Sequence, residues 1–354
     1  MRIKKTVTAI SIAIALAGLG SVNNTVNTSS TQSVQAASNK YINVKGNKRV
    51  RLYNINGNKS KYYAAPKKKY RYTAKRYLKI SGKKQLAYKI GDNSHWLLAK
   101  DAKAATSYVK AKITLPKAYT RSALLNAYKG KPSSKFVAAC MKGMKDNDFS
   151  RIKAGENAAD NKTKINLDNL TTEQTEELGK YALNLINGAR SQLGLPAWVY
   201  SEGTQKLAVD IATEYAKAGR GINNGDHYVQ GIVNACHNNG LKLDDNFVED
   251  MAGFKLNSPV ITMTEMKKNI YFGIKQMIFG YVGSGESGRA KKSNYREWEH
   301  AGDLFNTQGS KNTDGDYNYF GFSISKTSNV YSMHFISVPS YVVNSSKYNQ
   351  GFRP

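Results

Sequence analysis

The chain has 354 residues, 53 Lys and Arg against 25 Asp and Glu, and a formal net charge of +28. Its length allows two cores, and after the first 20 residues no segment is apolar enough to span a bilayer. Charge is concentrated toward the start: Lys+Arg against Asp+Glu runs 20 to 2 over residues 38–110, 12 to 4 over 111–164 and 16 to 19 over 165–344, a division that suits domains with different partners.

Met1-Arg2-Ile3-Lys4-Lys5 precedes a 15-residue apolar run over 6–20, which reads as an export signal too short to cross a membrane. Val34-Gln35-Ala36 offers small residues for cleavage after Ala36 or Ala37. The expectation is a signal peptide over 1–36 and a mature protein working outside the cytoplasm. Residues 345–354 read as a tail without a hydrophobic stretch or sorting motif, so retention at the cell is expected to be non-covalent.

Residues 38–110 hold 9 Tyr beside their 20 basic residues. Runs such as Val50-Arg51-Leu52-Tyr53 and Leu86-Ala87-Tyr88-Lys89-Ile90 alternate apolar and basic residues between Asn-Gly, Ser-Gly-Lys-Lys and Gly-Asp-Asn turns. This predicts a small antiparallel β barrel of the SH3-like kind, with His95 as a barrel residue. A basic β surface with interleaved aromatics suits nucleic acid, but export removes that partner. Outside a Gram-positive cell the abundant polyanions are teichoic acids, whose phosphates attract Lys by salt-sensitive counterion release. The candidate wall-binding residues are Lys67, Lys68, Lys69, Arg71, Lys75, Arg76, Lys83 and Lys84. Residues 41–103, with Arg51-Leu52-Tyr53-Asn54 near the start and Tyr88-Lys89-Ile90-Gly91-Asp92-Asn93 leading to Trp96 and Ala99, resemble the wall-binding repeat of lactobacillar surface-layer proteins. That resemblance implies non-covalent attachment to the cell wall.

Residues 111–164 read as a helical and linker segment, with helices near 122–128 and 136–144 and a linker over 154–163. From Asn166 the pattern is strongly periodic. Leu178, Ala182, Leu185, Ile186, Ala189 and Leu193 recur at helical spacing behind a Thr171–Gln174 capping box, and Gly194 ends the helix. A second helix starts at Ser201 and buries Leu207, Ile211 and Tyr215. A third starts near Thr262, boxed by Glu265, and runs through Met266, Ile270, Met277 and Ile278. Residues 319–325 and 330–338 read as a hairpin, so the fold class is α+β.

Tyr295-Arg296-Glu297-Trp298-Glu299-His300 gathers the densest chemistry, and on a helix Glu297 and His300 would share a face. Leu185-Ile186-Asn187-Gly188-Ala189-Arg190 with Gly194-Leu195-Pro196, Asp226-His227-Tyr228, Val248-Glu249-Asp250 and Glu299-His300-Ala301-Gly302-Asp303 stand in the order of the motifs of the CAP superfamily. Residues 165–344 resemble the variant of that domain found in Gram-positive surface-exclusion proteins. Glu299 and Asp303 depart from the family's Gly and Asn, and His334 stands where a Gln is usual. The resemblance implies an α-β-α sandwich whose cavity holds His227, Glu249 and His300, with Glu297 as the remaining carboxylate and His334 beside them. Such a set could hold a divalent metal such as zinc through His227 and His300, raise Glu249 or Glu297 toward general-base work, or form a satisfied polar network.

Three further signals compete. Gly283-Ser284-Gly285-Glu286-Ser287-Gly288 has the dinucleotide fingerprint but follows a helix, so it reads as a loop. Cys236-His237 are neighbours, which does not make a catalytic dyad. Cys140 and Cys236, the only cysteines of an exported chain, are expected to close one disulfide. The combined reading is a non-enzymatic protein of the cell wall and surface layer that docks through its basic domain and displays a domain binding a surface ligand or protein partner. An exported metal-dependent hydrolase and a structural surface-layer component are the alternatives.

Overall fold

The computed structural model describes residues 41–66, 68–104, 112–149, 159–283 and 285–354. The expected signal peptide, Lys67 and the part of the expected linker before residue 159 lie outside them. The described residues fall into two compact units, 41–104 and 112–354.

The N-terminal unit is built of β strands, with one 3-10 turn at Ala99–Asp101. Strands β1 (Tyr41–Val44), β2 (Val50–Tyr53), β3 (Lys59–Ala64), β4 (Lys69–Arg71), β5 (Ala74–Ile80), β6 (Lys83–Lys89), β7 (Trp96–Leu98) and β8 (Ala102–Ala104) make two antiparallel sheets, ordered β4-β1-β8 and β3-β2-β7-β6-β5. The expected barrel is thus two open sheets among the described residues: closure needs an unbroken ring of strand pairs, and each sheet has two unpaired edges. Leu52 and Leu97 anchor one small core with Ile42 and Val44, while Leu78, Trp96 and Leu98 anchor another. Ser81 and Gly82, both at positive φ, make the two-residue turn between β5 and β6.

The C-terminal unit contains helices α1 (Arg121–Tyr128), α2 (Ser134–Asp146), α3 (Thr172–Arg190), α4 (Glu202–Lys217), α5 (Val229–Asn238), α6 (Met263–Phe279), α7 (Gly285–Gly288), α8 (Glu299–Leu304) and α9 (Ser340–Val343). Strands β9 (Lys164–Asn166) and β12 (Val260–Thr262) pair with each other, and β10 (Val199–Tyr200), β11 (Glu249–Lys255), β13 (Asn318–Thr327) and β14 (Val330–Pro339) form a sheet ordered β10-β13-β14-β11. Every residue of β14 is buried. Its Tyr331, Met333 and Phe335 pack with α3 and α6, and its Val330, Ile336 and Val338 pack with α4 and α5. This period of two places helices on both faces of the sheet and makes a layered α+β unit.

Both expected capping boxes form, Thr171 with Gln174 and Thr262 with Glu265. The helices read between 111 and 149 are no detached segment. Tyr119 and Phe136 sit in the same core as Phe279, Trp298 and Phe305, because α1 and α2 each bury one apolar side. The tail is docked too: Phe352 is buried in the α4–α5 core and the Gln350 amide donates to the Gly240 carbonyl at 2.7 Å. Residues 285–288 form the short helix α7 rather than a loop, while Ser284 lies outside the described residues.

One expectation is overturned. Cys140 and Cys236 are both free and buried. Cys140, on α2, belongs to the core containing α3 and α6; Cys236, on α5, belongs to the core containing α4. The two thiols are packed into different clusters, so they make no disulfide.

Candidate functional site

β11 is an edge strand, paired only with β14. It begins with two buried acids in succession, Glu249 and Asp250, which the strand's period of two sends to opposite faces. Each carboxylate takes an imidazole. Glu249 Oε2 accepts from His227 Nδ1 at 2.8 Å and from the Tyr215 hydroxyl at 2.7 Å, and Oε1 accepts from His334 Nδ1 at 2.5 Å. Asp250 Oδ1 accepts from His300 Nδ1 at 2.8 Å. The His227 and His300 rings meet edge to face, 6.2 Å between centroids. Met251 and Ala252 also point to opposite faces, yet both line the cavity that these rings border. The cavity therefore runs along the free edge of β11, where residues from both faces converge.

Glu297 completes the cluster in an unexpected way. It precedes α8 instead of sharing a helical face with His300. Its Oε1 accepts the Glu299 amide at 2.8 Å, leaving Oε2 3.7 Å from His300 Nε2. Gly280 fixes this approach, for its carbonyl accepts the Arg296 and Glu297 amides. It sits at φ +64°, and a Cβ there would fall 2.6 Å from the Glu297 carbonyl oxygen, so both the turn and the packing require glycine.

Electrostatics separates the two imidazoles. Burial alone would push the Glu249 carboxyl up, but hydrogen bonds from His227 and His334 outweigh it and hold the group down at about 2. Burial would also favour a neutral His300, but the Glu297 and Asp250 carboxylates outweigh it and raise the ring to about 10. His300 is thus held toward the imidazolium, while burial pushes the carboxyl of its partner Asp250 up. His227 has its Nδ1 tied to Glu249, which leaves Nε2 as the nitrogen available to the cavity.

A carboxylate behind each imidazole is the arrangement that orients histidine ligands toward a metal. The donor count does not match. Among the described residues no group of three or more His, Cys, Asp or Glu is placed to hold an ion, whereas a catalytic zinc has three protein ligands. His334 cannot supply the third, since its Nδ1 holds Glu249 and its Nε2 lies 2.7 Å from Ser325 Oγ. The chain Ser325–His334–Glu249 has the hydrogen-bond order of a nucleophilic triad, but Ser325 and His334 are buried and neither lines the His227–His300 cavity. The chain serves instead to hold Glu249.

Of the sequence candidates, His227, His300 and Glu297 line the cavity of about 50 Å³, and Glu249 and His334 stand behind His227. Tyr215, Asp250 and Ser325 were missed as participants. The adjacent Glu249-Asp250 pair was the available signal, since two acids in a row on a buried strand need two separate partners. Cys236 is inert here: burial pushes its thiol up to about 12, and His237 Nε2 contacts the Leu243 carbonyl oxygen instead.

On the N-terminal unit, Lys68, Lys75, Arg76, Lys83 and Lys84 are exposed, while Lys69 and Arg71 lie on β4. In the β5–β6 hairpin Lys79 stands directly across from Lys84, and Lys75 across from Tyr88. Lys75, Tyr77 and Lys79 therefore share a face with Lys84 and Tyr88, and Lys75 Nζ lies 5.6 and 5.7 Å from the Tyr72 and Tyr88 ring centres. Like charges directly opposed weaken a hairpin unless a ligand neutralises them. His95 is bonded to Asp92 and stacked on Tyr62.

No family model matches the chain, and no curated protein does. Among solved structures it is similar to the CAP domain of Enterococcal PrgA, at 24% identity and a TM-score of 0.48, over 66% of this chain and 87% of that one. A likeness at that level carries nothing over to the chemistry of this chain.

Proposed function

We propose that the chain is an exported surface protein whose basic N-terminal unit holds it to wall polyanions of the teichoic acid class and whose C-terminal unit is a CAP-type domain binding a surface ligand or partner. The observation that carries the binding role is the convergence of His227 and His300, each pinned by its own buried carboxylate, on one cavity at a sheet edge. Such pre-organisation costs burial of two acids and is retained where side chains must be held in place for recognition. The exposed Lys face of the β5–β6 hairpin supports the polyanion role, and among the described residues no helix is long and apolar enough to cross a membrane. Hydrolysis is the weaker reading, because Ser325 is buried and, among the described residues, no third ligand joins the imidazole pair.

The test is co-sedimentation of the mature chain with purified walls, before and after removal of teichoic acids. Binding to intact walls is expected to fall by more than about tenfold between roughly 50 and 500 mM salt, and stripped walls should retain little protein. Equal binding to stripped and intact walls at every salt concentration would refute the polyanion role.

A further inference from the structure

Glu249 and Asp250 border a second cleft, of about 500 Å³, separate from the cavity of His227 and His300. One wall is the loop 246–248. The Asn246 side chain accepts the Val248 and Glu249 amides and donates to the Glu249 carbonyl, an Asx turn that leaves Phe247 42% exposed. The other wall is the turn 306–315. There the Asp314 carboxylate accepts the backbone amides of Gln308, Gly309 and Ser310, and Gly309 takes φ +81°. Asn306 ties this wall to the core, accepting from Arg190 and Trp198 while donating to Asn318. Both walls are thus held in shape without a ligand.

The groups facing the cleft choose among ligand classes. Among the described residues Lys311 is the only cation lining it, beside the acids Glu249, Asp250 and Asp303, so it does not suit a polyanion. Its walls mix amide and hydroxyl groups with rings, which does not suit a lipid chain. An extended peptide would add to a free strand edge, but β13 and β14 are paired on both sides, and on β11 the Glu249 amide and carbonyl are taken by the Asn246 side chain. What remains is aromatic surface from Phe247, Tyr128 and Tyr341, interspersed with neutral hydrogen-bonding groups such as Gln308, Ser310 and Ser337. Sugar rings have apolar C–H faces for the aromatics and a rim of hydroxyl or acetamido groups for the neutral donors and acceptors. We infer that this cleft is a saccharide-binding site for a neutral glycan segment, distinct from the imidazole cavity. The inference does not depend on what that cavity binds.

The experiment is titration of the mature chain with soluble N-acetylglucosamine trimer and with maltotriose, followed by calorimetry and by NMR line broadening of the sugar. One of the two sugars is expected to bind saturably. Phe247→Ala and Gln308→Ala should each weaken it by about tenfold or more, whereas Lys206→Ala, an exposed position on α4 that lines neither cavity, should leave it unchanged. Phe247 and Gln308 reach solvent, so thermal melts of these variants should match the parent and exclude unfolding as the cause. The inference is overturned if neither sugar saturates, if binding is indifferent to both cleft variants, or if Lys206→Ala abolishes it. It is equally overturned if a neutral tripeptide binds with the same dependence on Phe247 and neither sugar does.

Discussion

His227 and His334 hold the two oxygens of a single buried carboxylate, Glu249, at 2.8 Å and 2.5 Å. One ring belongs to the cavity and the other to the interior of the sheet, so the orientation of His227 is set partly from the side that no ligand reaches. Replacing His334 by Leu removes the donor to Oε1 in a dry setting and is expected to cost about 2–3 kcal/mol. His334→Gln, which keeps one donor, should recover more than half of that loss. Guanidinium denaturation of the three proteins reads the difference.

The two acid–imidazole pairs respond to pH in opposite directions. Glu249 is lowered from 4.5 to about 2, so the stability it adds is present above 4.5 and lost as pH falls through 2. His300 is raised from 6.5 to about 10, so its contribution is present below 6.5 and lost as pH rises through 10. Melting curves of Glu249→Gln should lose the acid slope and those of His300→Gln the alkaline one. A variant keeping the parent's slope in its own window would contradict the assignment.

Arg190, at the end of α3, has no exposed surface. It donates to the carbonyls of Pro196, Leu304 and Asp316 and to Asn306 Oδ1. Lysine cannot reach four acceptors in a planar fork, and Arg190→Lys is expected to cost at least about 3 kcal/mol. Chemical denaturation checks the cost, and saccharide titration checks whether the 306–315 wall loosens with it.

Cys140 and Cys236 should both carry free thiols. Burial pushes each up to about 12, so alkylation is expected to be slow in the native protein and complete for two thiols after unfolding without reductant. An intact mass two hydrogens lighter, with no alkylation on unfolding, would show the bond that the packing excludes.

Local signals were the legible ones. The α3 stripe from Leu178 to Ala189 and the two capping boxes depend on residues three or four apart, and they appear where the spacing puts them. The chemistry of the cavity was legible as far as the histidines and Glu249 announce themselves by type. Asp250 was not, because its role follows from β11 being an edge strand, a property of sheet order. Tyr215 could be placed in the core from its helical spacing, but nothing in that spacing reveals that its hydroxyl bonds Glu249. The disulfide failed for a related reason: which core a cysteine enters is decided by tertiary packing. The barrel failed because strand runs announce pairing but not closure.

An unpaired strand edge is an invitation to any other extended chain, and proteins blunt such edges with charge and cover. β11 carries two carboxylates at its start, with imidazoles drawn against them along that open edge. A second chain seeking to pair there would have to displace His227 and His300 and strip Glu249 and Asp250 of the imidazoles that hold them in a dry interior. The cluster that orders the cavity thereby also keeps the sheet from growing into a neighbour's.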